Sequence, residues 1–164
     1  MRREAGALTR TLSIPEWRRL ASEGAALPVR IRLSGSSMFP LIRGNTDYVT
    51  VSPLCGPPAV GDIVLFCEPG TERYVMHRLW AKKNGEVLTW GDNCPGPDGW
   101  LPVGAVLGKA VLIERGGCRI VPEPKMGRIW AALWHPAVKL RRLCGRIRAS
   151  LARRLGSFLA GIRR

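Results

Sequence analysis

The chain has 164 residues, 46% of them apolar, with 19 Gly and 13 Pro, which suffices for a buried core and excludes a disordered or fibrous polymer. Its net charge of +14 is uneven: eleven Lys or Arg and no Asp or Glu lie from Lys125 onward, so positions 1–124 carry only +3. The five cysteines (Cys55, Cys67, Cys94, Cys118 and Cys144) form no C-x-x-C pair, which indicates neither a zinc site nor a disulfide framework and suits free thiols in a reducing compartment.

Residues 1–27 read as a short N-terminal extension, weakly helical from Ile14 to Glu23, with Ser13 suited to the cap and Pro15 to the first turn. That is too short for a helix-turn-helix DNA-binding module. From Pro28 the pattern becomes alternation, with Val29, Ile31 and Leu33 on one face and Arg30 and Arg32 on the other. This predicts a strand that runs straight into Ser34 to Pro40, SGSSMFP. There Gly35 and Ser36 let a substrate come close to the backbone, and Ser37 is the candidate nucleophile. A hydroxyl is a poor nucleophile near neutral pH, so a base and an orienting group are needed.

Further strands are expected at Tyr48 to Val51, Ile63 to Cys67, Tyr74 to Trp80, Val87 to Trp90, Val106 to Ile113 and Arg119 to Val121. The segments between them are turn clusters such as CGPPAVGD and GDNCPGPDG. Short, β-branched runs spaced too closely for crossover helices predict a mainly β domain over 28–124.

Beyond Pro124 apolar residues recur every three or four positions, at Met126, Ile129, Leu133, Ala137, Leu140, Cys144, Ile147, Leu151, Leu155, Phe158 and Ile162. Positions 125–164 therefore read as a basic amphipathic helix, broken or restarted at Pro136, with Trp130 and Trp134 near its beginning. Such a helix suits the surface of an anionic membrane, where each basic residue contributes on the order of 1 kcal/mol; docking on its own domain or on a partner is the alternative. Nucleic acid is not the expected partner, because charge alone gives salt-sensitive, nonspecific affinity. No segment reads as a secretory signal or a spanning helix, which needs about 20 apolar residues. The expected location is thus peripheral, at the cytoplasmic face of a membrane.

Two histidines are available as a base for Ser37. His135 sits beside Pro136 in the basic tail, which leaves His77 in the strand RYVMHRLW; a neutral imidazole can accept a hydroxyl proton. Lys82, Lys83 and Lys109 are rival bases, since a desolvated lysine can serve. Asp92 and Asp98, in TWGDNCPGPDGWLP, can each hold an imidazole in its useful tautomer. Both also stand in ordinary turn sequences, where Asp bonds its own backbone.

In order, SGSSMFP, RGNTDYVTV, GDIVLF, HRLW, TWGDN and VLGKAVLIERGG resemble the catalytic domain of the type I signal peptidase and LexA-like serine peptidase superfamily. The resemblance spans roughly Val29 to Gly117. It implies a coiled, mostly antiparallel β fold in which Ser37 attacks a peptide carbonyl. Where bacterial signal peptidases carry a lysine this chain reads His77-Arg78, similar to the histidine-using branch of the endoplasmic reticulum, archaea and some bacteria. By the same resemblance His77 is the base, both aspartates lie near the site, and Asp98 ranks first as orienter, with a structural role as the alternative for Asp92. Gly35 stands where signal peptidases commonly have serine, which resembles the LexA-type arrangement and implies an oxyanion held by backbone amides, with Gly35, Ser36, Met38 and Pro40 as the surrounding substrate-binding set.

The expectation is therefore a serine endopeptidase with no metal and no organic cofactor. Its substrate would be a peptide or precursor with small residues before the cut, a preference that comes from the resemblance. The alternatives are a LexA-like domain that cuts only itself or acts as an inactive regulatory module, and a membrane- or nucleic-acid-binding β module in which SGSSMFP is merely a turn.

Overall fold

Alternating and continuous apolar runs, punctuated by Gly and Pro, set the strands. A computed structural model describes residues 14–22, 27–71, 73–130, 132–138, 140, 141 and 144. It contains the helix α1 (Ile14–Ser22) and strands β1 (Val29–Arg32), β2 (Tyr48–Pro53), β3 (Ile63–Cys67), β4 (Tyr74–Lys83), β5 (Glu86–Trp90), β6 (Gly99–Pro102), β7 (Val106–Arg115) and β8 (Cys118–Ile120). Residues 124–130 and 132–138 are helical. The tail beyond position 144, where the expected apolar periodicity continues, lies outside the described residues. No helix among the described residues is long and apolar enough to cross a membrane.

The eight strands form one sheet in the order β1-β2-β7-β3-β4-β5-β6, with β8 also paired to β7. All pairings are antiparallel. β7 is the hub, and its register slips against β2 between Thr50 and Val51 and against β3 between Leu65 and Phe66. An extra residue on one strand of a pair bends that strand and steepens the local twist, so the sheet curls and carries a core on each side.

β3 shows the consequence. Ile63 and Leu65 belong to the first core, with Trp17, Val29, Val49, Val51, Met76 and Ile113, and Val64 and Phe66 to the second, with Leu79, Val87, Leu101 and Val106. Burial on both faces explains why the strand reads IVLF without a polar residue. Trp17 of α1 is 1% exposed, and its indole donates to the Leu27 carbonyl at 2.8 Å. The described helix of the N-terminal extension is thus built into the first core.

The sequence pattern misses one strand. β6 lies within TWGDNCPGPDGWLP, where no strand is expected, because Gly and Pro frame it and only Leu101 of its four residues is buried. Pro102 is tolerated there because β6 is an edge strand.

The C-terminal helical residues meet the domain with a face other than the apolar stripe. The described part of the periodic stripe, Met126, Ile129, Leu133, Ala137, Leu140 and Cys144, faces solvent. The domain is met by a different face, that of Gly127, His135 and Val138, all buried. His135 stacks on Trp90 with centroids 3.9 Å apart and meets Trp80 edge-on at 5.1 Å. Aromatic contact with β4 and β5 therefore outcompetes the aliphatic stripe for the docking face.

Candidate active site

Successive side chains on a strand point to opposite faces, and β4 uses this at His77 and Arg78. His77 is 6% exposed. Its Nδ1 lies 2.6 Å from Asp98 Oδ2, and the same oxygen accepts a hydrogen bond from Thr89 Oγ1 at 2.8 Å. The Asp98 backbone N–H donates to the Thr89 carbonyl at 2.9 Å, so β5 fixes the aspartate through both main chain and side chain.

With Nδ1 engaged by Asp98, Nε2 forms the opposite edge of the imidazole. It abuts Gly91: a methyl group placed on that residue would lie 2.8 Å from His77 Nε2, 2.7 Å from Cys94 Sγ and 2.9 Å from the Ser37 carbonyl oxygen. Only glycine fits that junction, where strand β4, the β5–β6 loop and the serine turn converge. Burial by itself pushes the His77 pKa down, but hydrogen bonds to Asp98 and Cys94, with their charges, outweigh it and raise the value to about 9.

Ser37 follows β1 directly. Gly35 has φ +87°, a left-handed conformation that only glycine adopts without steric cost, and it reverses the chain after Leu33. The turn is closed by hydrogen bonds from the Phe39 amide to the Ser36 carbonyl (3.1 Å) and from the Ile42 amide to the Met38 carbonyl (2.9 Å). Asn93 ties it to the β5–β6 loop, its amide donating to the Ser37 carbonyl at 2.7 Å and its Nδ2 to the Ser36 carbonyl at 3.1 Å. Carbonyl and N–H of one trans peptide point in opposite directions, so the Ser37 N–H points away from Asn93.

On the far side the turn is braced by Asp47, 1% exposed. Its Oδ2 accepts the Arg43 amide at 2.8 Å, its Oδ1 accepts Arg115 Nε at 2.8 Å, and Arg115 Nη2 also donates to the Leu41 carbonyl at 2.9 Å. The Arg115 hydrogen bond, outweighing burial, holds the Asp47 carboxyl below its ordinary pKa.

Ser34, Gly35, Ser36, Ser37, His77 and Asp98 line one cavity of about 810 Å³. Phe66, Val75, Trp100 and Leu101 supply its apolar walls, and Glu68 and Arg73 add charge. A recess of about 40 Å³ opens beside Ser37 between Leu33, Met38, Ile42 and Met76.

Asp92 is placed elsewhere. Both its oxygens accept from Arg78, from Nε at 2.9 Å and from Nη2 at 2.7 Å, while Arg78 Nη1 donates to the Gly61 carbonyl at 3.0 Å. The pair is sealed, with side chains 2% and 0% exposed. Of the substrate-binding set, Met38 belongs to the first core and walls the small recess. Pro40 lines neither cavity, and its carbonyl faces Arg115 Nη2 at 3.4 Å.

The rival bases stand apart from Ser37. Lys82 donates to the Pro58 carbonyl, Lys83 lies over the Trp100 ring, and Lys109 pairs with Asp62. None of the three lines the serine cavity. Among the described residues no group of three or more His, Cys, Asp or Glu is arranged to hold a metal ion.

Sequence reasoning passed over Thr89, Asn93, Cys94 and the Asp47–Arg115 brace. Asn93 and Cys94 were legible only as the end of a Gly-Asp-Asn turn, and nothing local says that this turn leans on Ser37 or His77. No family model matches the chain, and no curated protein matches it.

Proposed function

We propose that this chain is a serine endopeptidase of the signal peptidase and LexA-like kind, working through Ser37, His77 and Asp98. The observation that carries the reading is the shared cavity, in which the Asp98 carboxylate holds His77 by Nδ1 and turns Nε2 toward the side where a hydroxyl proton would be taken. The curled antiparallel sheet with bulges on both flanks of β7 fits the same superfamily.

In the proposed reaction neutral His77 takes the Ser37 proton at Nε2, and Oγ attacks the scissile carbonyl. Asp98 stabilises the imidazolium, and the backbone N–H of Ser37, aimed by Asn93, stabilises the oxyanion. His77 then passes its proton to the leaving amine, and water, activated by the same ring, releases the acyl group. The small recess beside Ser37 suits a small side chain, which supports cleavage after small residues.

The exposed stripe suits an anionic membrane surface. Met126, Ile129, Leu133 and Leu140 are 54–71% exposed, and Lys125, Arg128 and Arg141 are exposed around them. With the other face docked on the domain, such a helix can lay its apolar side into lipid while it anchors the catalytic unit.

The test is digestion of a diverse peptide mixture read by mass spectrometry, with Ser37→Ala in parallel. Cuts after small residues that vanish in Ser37→Ala support the reading, and cuts that persist, or no cuts with or without anionic liposomes, overturn it.

A further inference from the structure

The mechanism above leaves one group at the site without a task. Cys94 lines the cavity with Ser37, His77 and Asp98, and its Sγ and His77 Nε2 converge on the same point at Gly91. The thiol stands at the Nε2 edge of the imidazole, opposite the edge held by Asp98. Its backbone is held firmly, with the amide donating to the Gly91 carbonyl at 2.9 Å and the carbonyl accepting from the Trp90 indole at 3.1 Å. Cys94 is partly exposed through the cavity, whereas Cys55, Cys118 and Cys144 are exposed on the surface without an imidazole partner among the contacts seen. A thiol, an imidazole and a carboxylate thus stand in line, and thiols beside histidine are the reactive ones.

We propose that Cys94 is a thiol modification site, taking a small disulfide, and that the mixed disulfide reversibly blocks His77 and silences Ser37. In the exchange the Cys94 sulfur gives up its proton to His77 and attacks one sulfur of the small disulfide. The S–S bond of the reagent breaks, a new S–S bond forms to Cys94, and the second half leaves as a thiolate that takes the proton from His77. Cys94 is oxidised and the departing half is reduced, so the step needs no other co-reactant. The added group then stands at the edge of the ring that Ser37 must use. A reducing thiol reverses the exchange.

This inference rests on the Ser37–His77 reading for its effect, but not for its chemistry, and the experiment separates the two. The reduced full-length protein is treated with oxidised glutathione, and adducts at each cysteine are followed by peptide mass spectrometry. Ser37 is then titrated with a fluorophosphonate probe before treatment, after treatment and after dithiothreitol. The expected result is an adduct at Cys94 that forms at least tenfold faster than at Cys55 in the same molecules, a Cys94/Cys55 ratio that falls in His77→Gln, and Ser37 labelling that is lost in proportion to the Cys94 adduct and restored by dithiothreitol. In Cys94→Ser, the labelling is unchanged by glutathione relative to that variant's own untreated sample.

Equal rates at Cys94 and Cys55, or a Cys94 adduct that leaves Ser37 labelling untouched, overturns the proposal. Failure of the probe to label Ser37 in untreated protein overturns the peptidase reading instead, while the Cys94/Cys55 ratio still decides whether the thiol is activated. A probe that labels Cys94 in place of Ser37 overturns both.

Discussion

His77 and Arg78 are neighbours on one strand, and each takes an aspartate from the same β5–β6 segment, yet the two pairs do different things. Arg78–Asp92 is bidentate and closed to water, with side chains 2% and 0% exposed. His77–Asp98 has a single contact and a carboxylate 26% exposed at the edge of a cavity. A sealed ion pair whose hydrogen bonds are all satisfied has no face left for a substrate and can only hold the loop against the sheet. A half-open pair with one imidazole edge unclaimed by the carboxylate can exchange protons. On the proposed reading, access rather than residue type separates structure from chemistry at this loop.

The most severe way to break the open pair is to remove its ends. Ser37→Ala and His77→Ala should each lower peptide cleavage by roughly a thousandfold or more, with far-UV circular dichroism unchanged. Wild-type-like turnover in either variant defeats the assignment. Asp98→Asn should keep the shape but favour the wrong tautomer, at a cost of about a hundredfold to ten-thousandfold in kcat, whereas Asp92→Asn should act on stability first.

Breaking the closed pair should register in folding. Asp92→Ala leaves Arg78 buried without its counter-ion, which costs about 3–5 kcal/mol and should appear as a lower urea midpoint at unchanged slope. The double replacement Arg78→Met with Asp92→Leu should regain most of that loss, because apolar pairs of similar volume replace buried ion pairs at little cost. No recovery would mean that the Gly61 contact, rather than the charge pair, carries the stability.

The pH profile sharpens the comparison without a mutation. Proton acceptance by His77 requires the neutral ring, whose pKa is raised to about 9, so kcat/KM should climb about tenfold per pH unit through the neutral range and level off near pH 9. The folded value stands above the unfolded one of about 6.5. The stabilisation from the His77–Asp98 pair is therefore fully present below about pH 6.5 and is lost as pH rises through about 9. Activity and stability should thus move in opposite directions between those values, and a flat rate profile from pH 6 to 9 would remove His77 as the base. The smallest expected effect lies on the tail: Leu133→Glu, on the exposed stripe, should weaken co-sedimentation with anionic liposomes severalfold while leaving the melting temperature unchanged. A shift in melting with no change in lipid binding would mean that the stripe packs against protein.

Much of this was legible along the chain. Period-two alternation marked β1, and β-branched runs marked β2, β3, β4, β5 and β7, because strand burial writes itself locally into residue choice. β6 escaped because an edge strand of GWLP needs no pattern of its own. Cys94 and Asn93 escaped because their partners, His77 and the carbonyls of Ser36 and Ser37, are brought to them only by the sheet.

The helical periodicity from Met126 to Cys144 was a true signal of helix, and it left open which face meets the domain. Gly127, His135 and Val138 take that place because Trp80 and Trp90, side by side at 5.3 Å on β4 and β5, offer an aromatic floor that a stacked imidazole fills. By itself the sequence determined the elements other than β6, the hydroxyl at Ser37 and the two aspartates, since each depends on short-range chemistry. Only the tertiary structure decided which aspartate meets the histidine. Neighbours on β4 face opposite sides of the sheet, and the loop after β5 crosses from the sealed side at Asp92 to the open side at Asp98.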